Sequence, residues 1–449
     1  MDTIPLLTHA SPAAVVAYRG SAAVSAQRFI SDAVNLARTF PARDHVLNVC
    51  ADRYRFTVGL AACLITRRVS LLPSTHTPEV IGQLTNFAPD AFCLTDDPRC
   101  DIDLPRVYYP AALPGPEAPW RIPEIPLTQL AAIVFTSGST GTPLPYRKTW
   151  GRLARCVRDG APRLSLSDGR AHTLVGTVPA QHMYGFESTV LLALQSSNAF
   201  SAERPFYPAD IAAALASVPR PRALVTTPVH LRTLLASEID LPQTDLIVSA
   251  TAPLDQGLAR EVERRFKTAL LEIYGSTETG QIAMRRTAES AVWRLWPGVR
   301  LSVAGDEVFA QGGHVEQLTP LCDVIEITGA DEFLLHGRTA DLVNVAGKRS
   351  SFGYLNTQLN SIPGVIDGAF FLRDAATGST GVARLSAVVV APTLSVAALT
   401  EHLRQRIDPV FLPRPLLLVE RLPRNATGKL PQQALQCLAN RHLQTDGAQ

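Results

Sequence analysis

Lysine is almost missing from this chain. Of its 42 basic residues only four are lysines: Lys148, Lys267, Lys348 and Lys429. A chain that otherwise uses arginine keeps lysine where a compact ammonium is required, and three of the four, all but Lys267, fall inside the motifs below. Charge of either sign is not in excess. The formal net charge of +2 removes the electrostatic case for a nucleic-acid or membrane-surface partner. The seven cysteines (Cys50, Cys63, Cys93, Cys100, Cys156, Cys322, Cys437) have no metal-ligand spacing, which suits a reducing cytoplasm. Met1 to Tyr18 lacks a basic region followed by an apolar one, so no secretory signal is expected. The longest apolar run, Val58 to Ile65, is too short to span a bilayer. What remains is a chain of 449 residues, long enough for two or three domains with a substantial core.

The most informative stretch runs from Ala131 to Lys148. Ala131 to Phe135 is apolar and β-branched, as a buried strand is. Thr136, Ser137, Gly138, Ser139, Thr140 and Gly141 follow, and their hydroxyls and close-approaching amides make a concave donor surface. Pro143 and Pro145 hold the next residues extended, and Arg147 and Lys148 add two positive charges. The Gly-x-x-x-x-Gly-Lys-Ser/Thr spacing of a P-loop is absent. Taken alone, the stretch reads first as a polar surface loop and second as a cradle for an oligophosphate.

Upstream, strand-like and helix-like runs alternate: Val46–Cys50, Phe56–Ile65, Val69–Leu72, Val80–Asn86 and Ala91–Leu94. Such alternation argues for a parallel sheet covered by helices. Arg53 and Arg55 read as surface charges, and Glu117 to Pro126, with three prolines, as a linker. Downstream, Thr149 is placed to cap a helix whose apolar face is Trp150, Leu153, Ala154 and Val157. Strands at Leu174–Val178, Ala223–Thr227, Leu246–Ser249 and Leu271–Tyr274 each end in a turn. The last opens onto Gly275-Ser-Thr277-Glu278-Thr-Gly280, and ligands of open parallel sheets sit outside such strand ends. Trp296–Val303 and Glu307–Phe309 look like short antiparallel strands. After Thr339-Ala340-Asp341, a polar joint, a smaller αβ unit runs to a tail loop ending in Gly428-Lys429.

With these pieces in order, the chain resembles the adenylate-forming superfamily of acyl- and aryl-CoA synthetases, adenylation domains and luciferases. Thr136 to Gly141 resembles the phosphate loop, and His182-Met-Tyr184-Gly185 the segment lining the acyl pocket. Ser249-Ala250-Thr251 stands at the adenine-side loop, with Ala and Thr where paired glycines are usual. Tyr274-Gly275-Ser-Thr277-Glu278 matches the adenylation signature. Asp323, 15 residues before Arg338, resembles the ribose-binding aspartate before its Gly-Arg. Gly337-Arg338-x-x-Asp341, with Gly347 and Arg349, resembles the hinge-and-return segment, and Lys429 the catalytic lysine. There are departures. Leu144 occupies the place of the phosphate-loop lysine, Ala340 that of the hinge residue, and only 44 residues separate Glu278 from Cys322. These departures look most like compact ligases of aryl polyene and xanthomonadin-type pigment pathways.

The resemblance implies an α/β fold: a large N-terminal domain, 1–339, with mostly parallel sheets covered by helices, and a small mobile α+β C-terminal domain, 340–449. It implies ATP and Mg²⁺ as cofactors, and an aromatic acid of the hydroxybenzoate type as substrate. The activated acid would pass to an acyl carrier protein, or to CoA. Lys429, Thr277, Glu278 and His182 would be catalytic, with Glu278 on the metal. Thr136 to Gly141, Lys148, Ser249, Ala250, Thr251, Tyr274, Gly275, Asp323 and Arg338 would hold ATP, with Tyr274 stacked on adenine. His182, Tyr184, Gly185 and Gly280 would line the acid pocket, and Gly347 and Arg349 the thiol tunnel.

Overall fold

A computed structural model describes residues 2–73, 75–113, 115–136, 144–305, 307–338, 342–345, 348–373, 384–424 and 430–446. Two sheets build a large N-terminal α/β domain. The first has six strands in the order Leu144–Thr149, Leu130–Thr136, Val69–Leu72, His45–Asn48, Phe92–Thr95, Arg106–Tyr108. All its neighbours pair in parallel except the edge strand Leu144–Thr149, which runs antiparallel to Leu130–Thr136. The second sheet has eleven strands. Its centre is parallel, through Val15–Arg19, Ala199–Ser201, Thr173–Gly176, Arg222–Thr226, Leu246–Ser249 and Leu270–Ser276. Several of these strands are buried along their whole length, as strands covered on both faces are.

Beyond Leu270–Ser276 the pairing turns antiparallel, through Gly280–Arg285, Val292–Leu295, Glu332–Arg338 and Asp323–Ile327. The parallel centre of this sheet therefore continues into an antiparallel flank. The physical cause is local: Gly280, at φ +76°, lets the chain reverse directly over Thr277–Thr279, where a parallel continuation would need a crossover helix.

The largest core packs Val46, Leu72 and Val134 of the first sheet with Leu174, Val225 and Val248 of the second. Helices Arg53–Ile65 and Trp150–Arg163 fill the space between them, each capped as its sequence dictates. Asp52 accepts the Arg55 amide at 2.9 Å, and Thr149 accepts that of Arg152 at 3.3 Å. The smaller C-terminal domain has its own cores. A three-stranded sheet, Asp367–Arg373, Arg384–Val390 and Leu416–Leu418, packs with helices Phe352–Asn360, Val396–Arg404 and Gln432–Asp446. Residues 339–341, the expected joint, lie outside the described residues.

Three local expectations are corrected. The end of the expected linker, Glu124–Pro126, is a strand paired with Thr3–Pro5, a pairing partner too distant in sequence to be legible. Trp296 to Val299 is a turn between strands Val292–Leu295 and Arg300–Ala304, because Trp296 is pinned in the core beside Gly160. Arg53 is not a surface charge. It is 1% exposed, and its guanidinium donates to the carbonyls of Ser201, Glu203, Gly176 and Val178. Arg55 is half-buried, 3.6 Å from Asp96.

Candidate active site

The adenylation signature forms the tip of a hairpin. Ser276 pairs with Gly280, and Thr277 to Thr279 make the reversal. Ser276 and Thr279 lock it, the Ser276 amide donating to Thr279 Oγ1 at 3.2 Å and the Thr279 amide to Ser276 Oγ at 3.2 Å. A Cβ on Gly275 would lie 2.2 Å from the Gly280 carbonyl oxygen, so the two strands touch where no side chain fits. Thr277 and Glu278 remain half-buried at the tip, with their side chains reachable. The Glu278 carboxylate suits Mg²⁺, which binds proteins through one or two carboxylates and takes its other oxygens from substrate phosphates and water.

Tyr274 and Asp323, 49 residues apart, meet directly. The Tyr274 hydroxyl donates to Asp323 Oδ2 at 2.6 Å, and its ring packs against Trp293 and Phe333 with centroids 5.6 Å away. Asp323 opens its strand opposite Arg338, so the 15-residue interval seen in the sequence is a cross-strand pair. At the neighbouring strand end, Ser249 is fully buried, with a hydroxyl that has no hydrogen-bond partner among the described residues. Thr251 adopts φ +80°. That left-handed conformation is what a glycine would supply freely, and a β-branched residue pays roughly 1–2 kcal/mol for it.

The segment assigned to the acid pocket is anchored at the same edge of the sheet. His182 caps the turn that follows, its Nδ1 accepting the Tyr184 amide at 3.3 Å. Tyr184 points into the core, where its hydroxyl donates to the Val248 carbonyl at 3.0 Å and burial pushes its pKa well up. Gly185 sits so close to Pro179 that a Cβ would lie 2.1 Å from its carbonyl oxygen. The chain then winds as a π-helix over Phe186–Leu191, a geometry frequent at functional sites.

Of the two cations near Leu144, the strand's alternation places Lys148 inward and Arg147 outward. Lys148 is 3% exposed and donates from Nζ to the Glu278 carbonyl at 3.0 Å. Sequence reasoning missed its surroundings. Glu187, Cys156 and His314, all buried, converge beside it under Gly280. Burial pushes the Glu187 carboxyl up to about 7 against the pull of Lys148, and brings Lys148 down to about 8. His314 falls to about 4, chiefly through burial. The one legible signal was a carboxylate standing as the lone charge in the stretch Phe186 to Leu194. Thr136 ends its strand at the phosphate-loop position, and the Arg349 backbone pairs with Asn344. Ser137 to Gly141, Gly347 and Lys429 lie outside the described residues.

Among known proteins, the profile of a family described as "AMP-binding enzyme" matches residues 2–313. The chain is 31% identical over 277 residues to a 4-coumarate–CoA ligase of Rhodobacter capsulatus, covering 62% of this chain and 67% of the relative. It is 32% identical over 309 residues to a 4-coumarate–CoA ligase of Halorhodospira halophila, covering 66% and 73%. The fold matches the ATP-bound crystal structure of MatB from Rhodopseudomonas palustris with a TM-score of 0.80, over 96% of this chain and 97% of that one, at 20% identity. Signature hairpin, strand-end loops and profile agree: the chain belongs to the AMP-binding enzyme family, within its adenylate-forming ligases.

Proposed function

We propose that this protein is an AMP-forming acid–thiol ligase for an aromatic carboxylic acid of the hydroxybenzoate or hydroxycinnamate class. The observation that carries the reading is the convergence of Tyr274, Asp323 and the Thr277–Glu278 tip in one place, in a chain about one third identical to 4-coumarate–CoA ligases.

The residue types follow from the chemistry. A carboxylate is a poor electrophile, so one of its oxygens attacks the α-phosphorus of ATP and the bond to the β-phosphate oxygen breaks, releasing pyrophosphate. Anionic oxygens crowd at that centre. Preorganised donors there act without reorganising: the loop Thr136 to Gly141, the Thr277 hydroxyl and Lys429. Glu278 would hold Mg²⁺, which would supply charge neutralisation of the phosphates. Asp323 takes the ribose hydroxyls, with Tyr274 orienting its carboxylate and presenting a ring face to adenine. Ser249 to Thr251 line the adenine side, and Arg338, opposite Asp323, completes it. His182 and the backbone at Gly185 and Gly280 bound the acid. A thiol then attacks the acyl carbon, forms the thioester and expels AMP, entering past Gly347 and Arg349 while the C-terminal domain, 340–449, reorients.

CoA is the acceptor favoured by the relatives' activities. A phosphopantetheinylated carrier protein is the second reading, favoured by the short span between Glu278 and Cys322. ATP–pyrophosphate exchange with benzoates, cinnamates and aliphatic acids tests the first half-reaction. Exchange with aliphatic acids alone would refute the aromatic assignment. Thioester formation on CoA and on a carrier, at matched concentration, then decides the acceptor.

A further inference from the structure

Beneath the signature tip lies a buried ionisable cluster to which the proposed mechanism gives no work. Four elements contribute to it. Lys148 comes from the edge strand Leu144–Thr149, Cys156 from helix Trp150–Arg163, Glu187 from the π-helix, and His314 from the turn before strand Val315–Leu321. Cys156 Sγ lies 3.5 Å from Glu187 Oε1 and 3.5 Å from the Gln281 carbonyl, while Gln281 Nε2 donates to Ser188 Oγ at 2.8 Å. A Cβ on Gly280 would lie 2.8 Å from Glu187 Oε1, 3.3 Å from Cys156 Sγ and 3.6 Å from His314 Nε2. The backbone of the turn therefore rests on the carboxylate. Among the described residues, neither ring nitrogen of His314 finds a hydrogen bond of normal geometry, although the Thr279 and Gln281 backbones lie beside the ring.

We propose that Lys148 and Glu187 are a positioning pair for adenylation. The ammonium holds the Glu278 carbonyl from below and the carboxylate seats Gly280, so that together they set the tip that presents Thr277 and the Glu278 side chain to the Mg²⁺–triphosphate. The inference rests on the reading of that tip as the nucleotide-binding turn. Stability alone is a weak reason for such a pair, since replacing buried ion pairs by well-packed apolar groups is often neutral or stabilising. An ammonium does what an apolar group cannot: it fixes the direction of one carbonyl, and hence the peptide plane leading into Glu278. The absence of a lysine at Leu144 fits this arrangement. The cation nearest the tip works through the backbone rather than on the phosphates.

The test uses Lys148→Met, Glu187→Gln and the double variant in the full chain. Removing one partner leaves an uncompensated buried charge, so either single variant can fail to fold; the double variant removes both charges and keeps the result readable. Two measurements are made: affinity for a non-hydrolysable ATP analogue with Mg²⁺, and exchange kinetics with the preferred acid. In a double variant that melts close to the wild type, analogue affinity should fall about tenfold or more, and exchange kcat by up to about a hundredfold, as for a small misplacement of reacting groups. The Michaelis constant for the acid should change far less. Wild-type analogue affinity and kcat in the folded double variant would reduce the pair to a structural role and overturn the inference. A loss confined to acid affinity would overturn it too, by placing the pair on the acid pocket. If Glu187→Gln folds with normal kinetics while Lys148→Met loses ATP, Lys148 is a direct phosphate ligand and the pair assignment falls. Analogue binding needs no acid, so failure of every acid in wild-type exchange would sink the proposed substrate and leave this test intact.

Discussion

Replacing Arg53 by Met should unfold the N-terminal domain more readily than any surface arginine would, and the magnitude can be worked from its surroundings. The guanidinium serves four carbonyls, at 2.9 Å to Ser201, 2.5 Å to Glu203, 2.8 Å to Gly176 and 3.0 Å to Val178. Those carbonyls terminate two neighbouring strands of the large sheet and lead into the segment that carries His182. Methionine fills much of the volume but leaves the carbonyls without that donor, at roughly 1–3 kcal/mol for each buried one. Against this, the charge itself is costly to bury. Burial brings the Arg53 pKa down to about 10, which corresponds to roughly 3 kcal/mol of desolvation relieved by the substitution. The net expectation is a loss of about 3–5 kcal/mol, the range for breaking a buried charged network. Urea denaturation at pH 7 reads it directly, as a lower midpoint with an unchanged slope. Because Val178 leads to His182, the Michaelis constant for the acid should rise more than that for ATP. A loss below about 1 kcal/mol, typical of an exposed ion pair, would refute the reasoning.

Lys429→Ala should lower adenylate formation by about a hundredfold or more, the scale for removing one preorganised charge-stabilising group, with acyl transfer from supplied adenylate much less affected. Equal losses in both half-reactions would count against the lysine's role. Tyr274→Phe removes the 2.6 Å bond to Asp323. It should raise the Michaelis constant for ATP by about tenfold or more, on the scale of one hydrogen bond to a charged group, with the constant for the acid nearly unchanged. His314→Gln tests the buried imidazole by pH. With a folded pKa of about 4 against an ordinary 6.5, the unfolded chain binds the extra proton between those values. Stability from neutral His314 is thus complete above about pH 6.5 and is lost as pH falls towards 4. Urea midpoints for wild type and variant at pH 7 and 5 should show a shallower acid decline in the variant, and parallel declines would refute the assignment.

Much of the local architecture was legible because it depends on near neighbours. Strands Val69–Leu72 and Leu246–Ser249 fall where their apolar, β-branched runs place them, and Thr149 caps its helix as its hydroxyl and the following apolar face require. The Asp323–Arg338 interval was legible as a spacing, and the register turns it into a contact between strands. The Tyr274 hydroxyl on Asp323 was not foreseen, since the two residues were assigned to adenine and ribose separately.

What the sequence determined by itself was therefore periodicity, capping and motif order, all set within a few residues by backbone sterics and side-chain polarity. Tertiary structure decided where charges went. Arg53 and Arg55 sit two positions apart at the start of one helix, yet one is enclosed by four carbonyls and the other stays half-exposed, because the strand ends that meet Arg53 come from more than a hundred residues away. Lys148 and Glu187 likewise come beneath one turn only after the fold brings an edge strand, a π-helix and a hairpin tip together. The energy of a buried charge depends on partners that packing alone supplies, and no local pattern in the chain encodes them.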